Sequence, residues 1–277
     1  MFDFNRLLTL LPARPANAPS FDFTRMLNWK LLQGSHAFPG PDGGTCVNEA
    51  AIVVAGLPYR KVQSVEDLPA SFSPPLANFA MGLNDSIADD ALRQELLLPF
   101  VTRLAGSADA ARVEARRTEL IIRRIVTDLV PLALAAFGFE AEARSCRSAK
   151  ALPKALAVVT CAIAAVQESP LDIDGRAALT EALSHVKKAI ECHIEDDISR
   201  AYGIAAGVIW RLISALQLPT ADRRATRDAL FRAAAAILDD GLRTGRQAEP
   251  IGVDLAVARM DSCRPQHAES KLPIWVE

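Results

Sequence analysis

Apolar residues recur every three or four positions along most of this chain, and that spacing predicts its elements. The pattern is densest in residues 109–137, 154–167, 176–194, 198–216 and 221–238, each read as a helix. Gly138, Ser169-Pro170, Pro219-Thr220 and Gly241 punctuate these stretches as turn signals. Residues 250–260 predict one more short helix. Upstream the punctuation is closer. Residues 12–20, PARPANAPS, hold three prolines and no period, so they read as a loose connector. Residues 21–32 predict a short helix, and residues 34–44 a Gly/Pro loop. Residues 45–55 predict an Ala-rich apolar helix that stops at Gly56, a left-handed cap. The β-like pieces are confined to residues 59–65, inside an irregular stretch at 57–73. Helix resumes over 74–83, with prolines early where they are tolerated, and Asn84-Asp85 is expected to break it. Asp89-Asp90 starts the next helix, which runs through Leu104 to Gly106, its acids at the positive end of the dipole. Pro99 is expected to kink or divide that helix.

No long run alternates apolar and polar residues, so a sheet of any size is not expected. The fold class is all-α and multi-helical. A motif-bearing N-terminal region, residues 21–108, is expected to pack on an Ala/Arg-rich helical bundle, residues 109–267. Residues 1–20 are expected to be a flexible lead and residues 268–277 a tail. No motif of fixed period repeats along the chain.

Composition narrows the partners. The chain of 277 residues balances 31 Lys and Arg against 33 Asp and Glu, a formal charge of −2. That balance removes the electrostatic case for nucleic acid or an anionic membrane as the main partner. Aromatics are 6%, with 2 Tyr, which leaves few platforms for stacking bases. The five cysteines, Cys46, Cys146, Cys161, Cys192 and Cys263, are odd in number and contain no C-x-x-C pair. They read as free thiols in a reducing compartment, with neither a disulfide framework nor a zinc knuckle. The N-terminus begins MFDFNRLL, with an acid before its first base and a short apolar run, unlike a secretory signal. No apolar run approaches the ~20 residues of a membrane span. The expectation is a soluble cytoplasmic protein with no cofactor and no metal.

One segment carries recognisable motifs. It contains Gly44-Thr45-Cys46-Val47-Asn48-Glu49-Ala50, then Leu83-Asn84-Asp85, Asp89-Asp90-x-x-Arg93, and Leu97-Leu98-Pro99 ahead of Arg103-Leu104-x-Gly106. These residues, about 40–110, resemble a family of bacterial and phage proteins with a Gly-x-Cys-x-x-Glu-Ala helix followed by Leu-Asn-Asp, Asp-Asp, Arg and Arg-Leu-x-Gly. The resemblance covers about a quarter of the chain. It implies a shared fold core and no particular chemistry.

A second resemblance is local. Gly44-Thr45-Cys46 with Ala50, followed by Gly56-Leu57-Pro58-Tyr59-Arg60-x-Val62, is similar to the nucleophile helix of transglutaminase-like and papain-like enzymes. There a cysteine opens a helix. Free N–H groups and the positive dipole end stabilise a thiolate and can hold an oxyanion. The resemblance implies Cys46 as nucleophile for acyl or isopeptide transfer, with His36 as base and Glu49 or Asn48 as orienter. The chain departs from that pattern in order: His36 precedes Cys46, and the next histidine after it is His185. The other reading of Cys46 is a small residue packing a helix start. Glu49 lies one turn on, on the same face. Thr45 reads as the N-cap and Asn48 as a first-turn polar residue.

The other polar groups have structural readings beside chemical ones. Asn84, Asp85, Asp89 and Asp90 make a carboxylate-rich cluster, but they lack the alternating ligands, the glycine and the distal Glu of a calcium loop. Turn and capping roles account for them, with Arg93 and Arg103 expected to pair with these acids. Asn48, Asn84, Asp85, Asp90, Arg93 and Arg103 are accordingly the candidate binding residues. Glu181/His185 and His193/Asp197 are i,i+4 pairs near Cys192 and read as surface pairing. Arg112, Arg116, Arg117, Arg123 and Arg124 alternate with Glu114, Glu119 and Asp128, as solvated helix faces do; Arg223, Arg224 and Arg227 stand beside Asp228. The leading expectation is a helical binding protein whose partner is a protein or a second copy of itself. Its contact surface is expected near Phe38, Phe72 and Phe79. A cysteine enzyme is the alternative.

Overall fold

The computed structural model describes residues 30–36, 44–216, 221–247 and 249–263. The expected lead, connector and tail, most of the expected helix at 21–32, Phe38 and Pro219-Thr220 lie outside these residues. Among the described residues every regular element is helical, and no strand forms. The all-α expectation therefore holds. Residues 30–32 are extended rather than helical, because Leu31 makes an isolated parallel bridge with Thr45. The β-like stretch 59–65 forms no strand. It leads into a single 3-10 turn, Val65–Asp67.

Helix α1, Val47–Val54, is buried at every position. Its only ionisable side chain is Glu49, so it can enter the core whole at the cost of one carboxylate. It packs against α2 (Pro74–Ser86), α3 (Asp90–Leu104) and α11 (Val253–Cys263). Gly56 follows α1 at φ +75°, and a Cβ there would lie 3.0 Å from the Arg259 guanidinium. Arg259 itself donates to the Val54 carbonyl at 2.6 Å, so α11 supplies a donor for the carbonyl end of α1.

The break expected at Asn84-Asp85 is absent, and of the two outcomes expected at Pro99, kink or division, division does not occur. Asn84 and Asp85 do not end α2, which continues to Ser86. Such side chains usually disfavour helix by bonding their own backbone. Here both bond the backbone of other segments. Pro99 does not divide α3 either. The proline forfeits one backbone bond, about 3 kcal/mol. Leu97, Leu98, Phe100, Val101 and Leu104 bury on both sides of it. At about 1.5–3 kcal/mol per buried side chain, that packing outweighs the loss.

The stretch read as one helix at 109–137 is α4 (Ala111–Arg124), a π turn (Ile125–Leu129) and α5 (Val130–Ala136). The widened turn lies just ahead of Pro131, which cannot donate to the turn before it. Gly138 turns the chain at φ +86°. A short helix that the spacing did not predict, α6 (Glu140–Arg147), follows; it buries only Ala143 and Cys146. Then come α7 (Leu152–Gln167), α8 (Ile173–Ile194), α9 (Ile198–Ala215) and α10 (Ala221–Arg243). Gly241 does not stop α10. A Cβ there would meet Leu76 at 2.4 Å, so this glycine lets α10 lie close to α2.

One apolar cluster runs from Leu31 to Met260 and joins the N-terminal region to the bundle. Its widest seams are α9 against α8 and α9 against α2. The α2–α9 seam is closest at Gly82, where a Cβ would sit 2.5 Å from the Ala206 carbonyl oxygen. We expect Gly82→Ala to cost about 1–3 kcal/mol by forcing backbone apart from backbone. A chemical-denaturation midpoint unchanged from the wild type would contradict that contact. Among the described residues no helix is long and apolar enough to cross a membrane.

Candidate functional site

The N-terminus of α1 is capped by Cys46, not by Thr45. The Cys46 sulfur accepts the Glu49 N–H at 3.4 Å, and the Glu49 carboxylate accepts the Cys46 N–H at 2.9 Å. This is a capping box with a thiol in the usual hydroxyl position. Thr45 instead pairs by backbone, its N–H with the Lys30 carbonyl and its carbonyl with the Leu32 N–H.

Glu49 does more than close the cap. Its Oε1 accepts the Ser35 hydroxyl at 2.7 Å, the His36 N–H at 3.1 Å and the Val62 N–H at 3.1 Å. With Cys46 that makes donors from three chain segments converging on one fully buried carboxylate. The charge is solvated by N–H and O–H groups in place of water. Tyr59 closes the same corner by donating to the His36 carbonyl at 2.6 Å.

The electrostatics run against a reactive thiol. Cys46 is 1% exposed, and burial pushes its thiol above the ordinary range. The neighbouring Glu49 charge adds to the rise, and N–H groups at the helix start offset only part of it. Burial and Glu49 likewise push the Tyr59 hydroxyl up. The helix N-terminus does donate to sulfur, as the enzyme resemblance implies. Desolvation and an adjacent anion outweigh it. His36 is brought near by its backbone, but its ring Nε2 contacts the Gln33 carbonyl at 3.1 Å. Asn48 orients no base: its amide donates to the Ala77 carbonyl at 2.9 Å and ties α1 to α2.

Residues 30–36 form a strap across this corner, and the remaining motif residues hold it. Asn84 accepts the Val47 N–H at 3.3 Å and donates to the Leu32 carbonyl at 2.9 Å. Asp85 Oδ1 accepts the Gly34 N–H at 2.8 Å and the Asn84 amide at 2.9 Å. Gln94 accepts the Leu31 N–H at 2.8 Å. Arg93, 1% exposed, donates to the carbonyls of Asn84 at 3.0 Å, Leu31 at 3.2 Å and Ile87, and pairs with Asp90. The Arg93–Asp90 pairing matches expectation. Arg103 does not join this cluster. Ten residues further on, about 15 Å along the helix axis, it pairs with Asp239 of α10 and stacks over Phe100.

Other expectations shift as well. Phe72 and Phe79 are 2% and 1% exposed, so they belong to the core and offer no contact surface. The large exposed apolar side chains among the described residues are Ile173, Ile194, Trp210 and Leu255, on α8, α9 and α11. Arg117 is not on a solvated face. It is wholly buried, donating to the carbonyls of Thr244 and Ser107 and pairing with Glu114. Arg124 pairs with Asp128 as its spacing predicts, and with Asp240 besides. The His185 ring contacts the Glu181 carbonyl rather than its carboxylate, which pairs with Arg211. Asp197 caps α9. Among the described residues no group of three or more His, Cys, Asp and Glu side chains is placed to hold a metal ion.

A recess of about 220 Å³ opens beside the cap, lined by Gly34, Ser35, Cys46, Val62, Gln63, Met81 and Asp85. Sequence reasoning missed Ser35, Tyr59, Val62, Met81 and Gln94 here. Tyr59 and Val62 lie in the stretch similar to the nucleophile helix, where no role was expected of them; Ser35, Met81 and Gln94 carry no motif signal. Comparison with protein-family models, curated proteins and solved structures gives no match for this chain.

Proposed function

We propose that this chain is a cytoplasmic bacterial binding protein whose partner is a protein or a second copy of itself, and that Cys46 is a structural cap rather than a nucleophile. The observation that carries this reading is the reciprocal Cys46–Glu49 bond pair. It uses the sulfur as an acceptor, inside a corner whose nearest charge is negative. The candidate residues Asn84, Asp85 and Arg93 support it too, because they spend their hydrogen bonds on the strap. What they build is a fixed recess at the surface, a feature suited to recognition. The resemblance of residues 40–110 to bacterial and phage proteins supports the source and implies no activity.

Peptide mapping after brief iodoacetamide treatment of the folded chain tests this reading. Exposed Cys161 should be labelled at neutral pH. Buried Cys46, Cys146 and Cys192 should label only after denaturation. A nucleophile would reverse that order, with Cys46 reacting first.

A further inference from the structure

We propose that the recess beside Cys46 binds the head of an organic cation, an alkylammonium or alkylguanidinium group. This rests on the binding-protein reading and gives that binding a chemistry. The lining contains one charged side chain, Asp85. Among the described residues both hydrogen bonds that the Asp85 carboxylate accepts fall on Oδ1, which leaves Oδ2 able to accept another donor. A second carboxylate, Glu49, is hydrogen-bonded to Cys46, one of the lining residues. Its field reaches the lining, because it contributes to raising the Cys46 thiol, as Asp85 also does.

Among the described residues no cation lines the recess. Arg93 is turned to Asp90 and three backbone carbonyls, and Lys61 is exposed and outside the lining. The other lining residues are Gly34, Ser35, Cys46, Val62, Gln63 and Met81. Polarizable sulfur and a valine suit methylene groups. A carboxylate, a hydroxyl and an amide oxygen suit N–H donors. An anion would meet the Asp85 carboxylate there. A neutral apolar group would offer Asp85 Oδ2 no donor.

The cation has two sources, a free small molecule or a Lys or Arg side chain of the protein partner. Isothermal titration of the full chain with butylammonium, butylguanidinium and butyrate tests the shared chemistry. Capped Lys and Arg tripeptides distinguish the source. Saturable binding of the two cations, with butyrate at least about tenfold weaker, is expected. Asp85→Asn keeps the acceptor for the Gly34 N–H and should weaken cation binding about tenfold or more, the scale of a charge-assisted hydrogen bond. Peptide binding at least as tight as that of the free amines assigns a partner's side chain; binding of the free amines alone assigns a small molecule. No saturable cation binding, equal binding of butyrate, or unchanged binding by Asp85→Asn overturns the proposal. Such a failure with Cys46 still protected from alkylation would leave the binding-protein reading standing. Fast alkylation of Cys46 would remove both.

Discussion

Arg93→Leu is expected to lose about 3–5 kcal/mol of folding stability, the cost of removing one partner from a buried charged network. The ion pair is not the reason. The Asp90 side chain is 71% exposed, so its pairing with Arg93 is largely screened and contributes little. The weight lies in the carbonyls of Leu31, Asn84 and Ile87, which the buried guanidinium serves together. Leucine would leave them without that donor, at about 1–3 kcal/mol for each group left unpaired, offset in part by regained hydration. Arg93→Lys should rescue little of the loss, because one ammonium lacks the planar fork that spans three carbonyls. Urea unfolding with a lowered midpoint and an unchanged slope is the expected result. A loss below about 1 kcal/mol would show that water replaces the guanidinium and that the strap does not depend on it.

Glu49→Ala should be similarly severe, about 3–5 kcal/mol, and for the opposite electrostatic reason. Removing the carboxylate orphans the N–H groups of Cys46, His36 and Val62 and the Ser35 hydroxyl at once. Glu49→Gln should fall between, because an amide keeps one oxygen but turns a donor toward N–H groups that need an acceptor. Hydrogen exchange adds a local readout. The amides of His36 and Val62 should exchange faster in Glu49→Ala than global unfolding alone allows. If both stay as protected as the slowest core amides, Glu49 does not hold these segments in place.

Much of the fold is legible in the pattern because most helices here are amphipathic and end at local signals. Gly138 and the α2 prolines act where they stand. Several of the failures share a cause. Asn84-Asp85 and Gly241 carry strong local signals that distant partners override: the strap for the first and Leu76 for the second. Arg117 fails likewise, since its burial depends on Thr244, far along the chain. At the site, the Cys46–Glu49 spacing places both on one face. Spacing cannot distinguish a reactive thiol from a cap. That choice is made by Ser35, His36 and Val62, whose donors converge on Glu49 only after the strap docks.

The protonation state of Cys46 in the folded chain decides between cap and nucleophile. The Cβ carbon shift of Cys46, followed by NMR in selectively labelled full-length protein, reports it directly. A buried cap should give a thiol signal unchanged from acid through neutral pH and past about 8.5, where a free cysteine ionises. The resonance should move only when alkali unfolds the chain. A titration step between about pH 4 and 7, the range of activated cysteines, would contradict it and restore the enzyme reading.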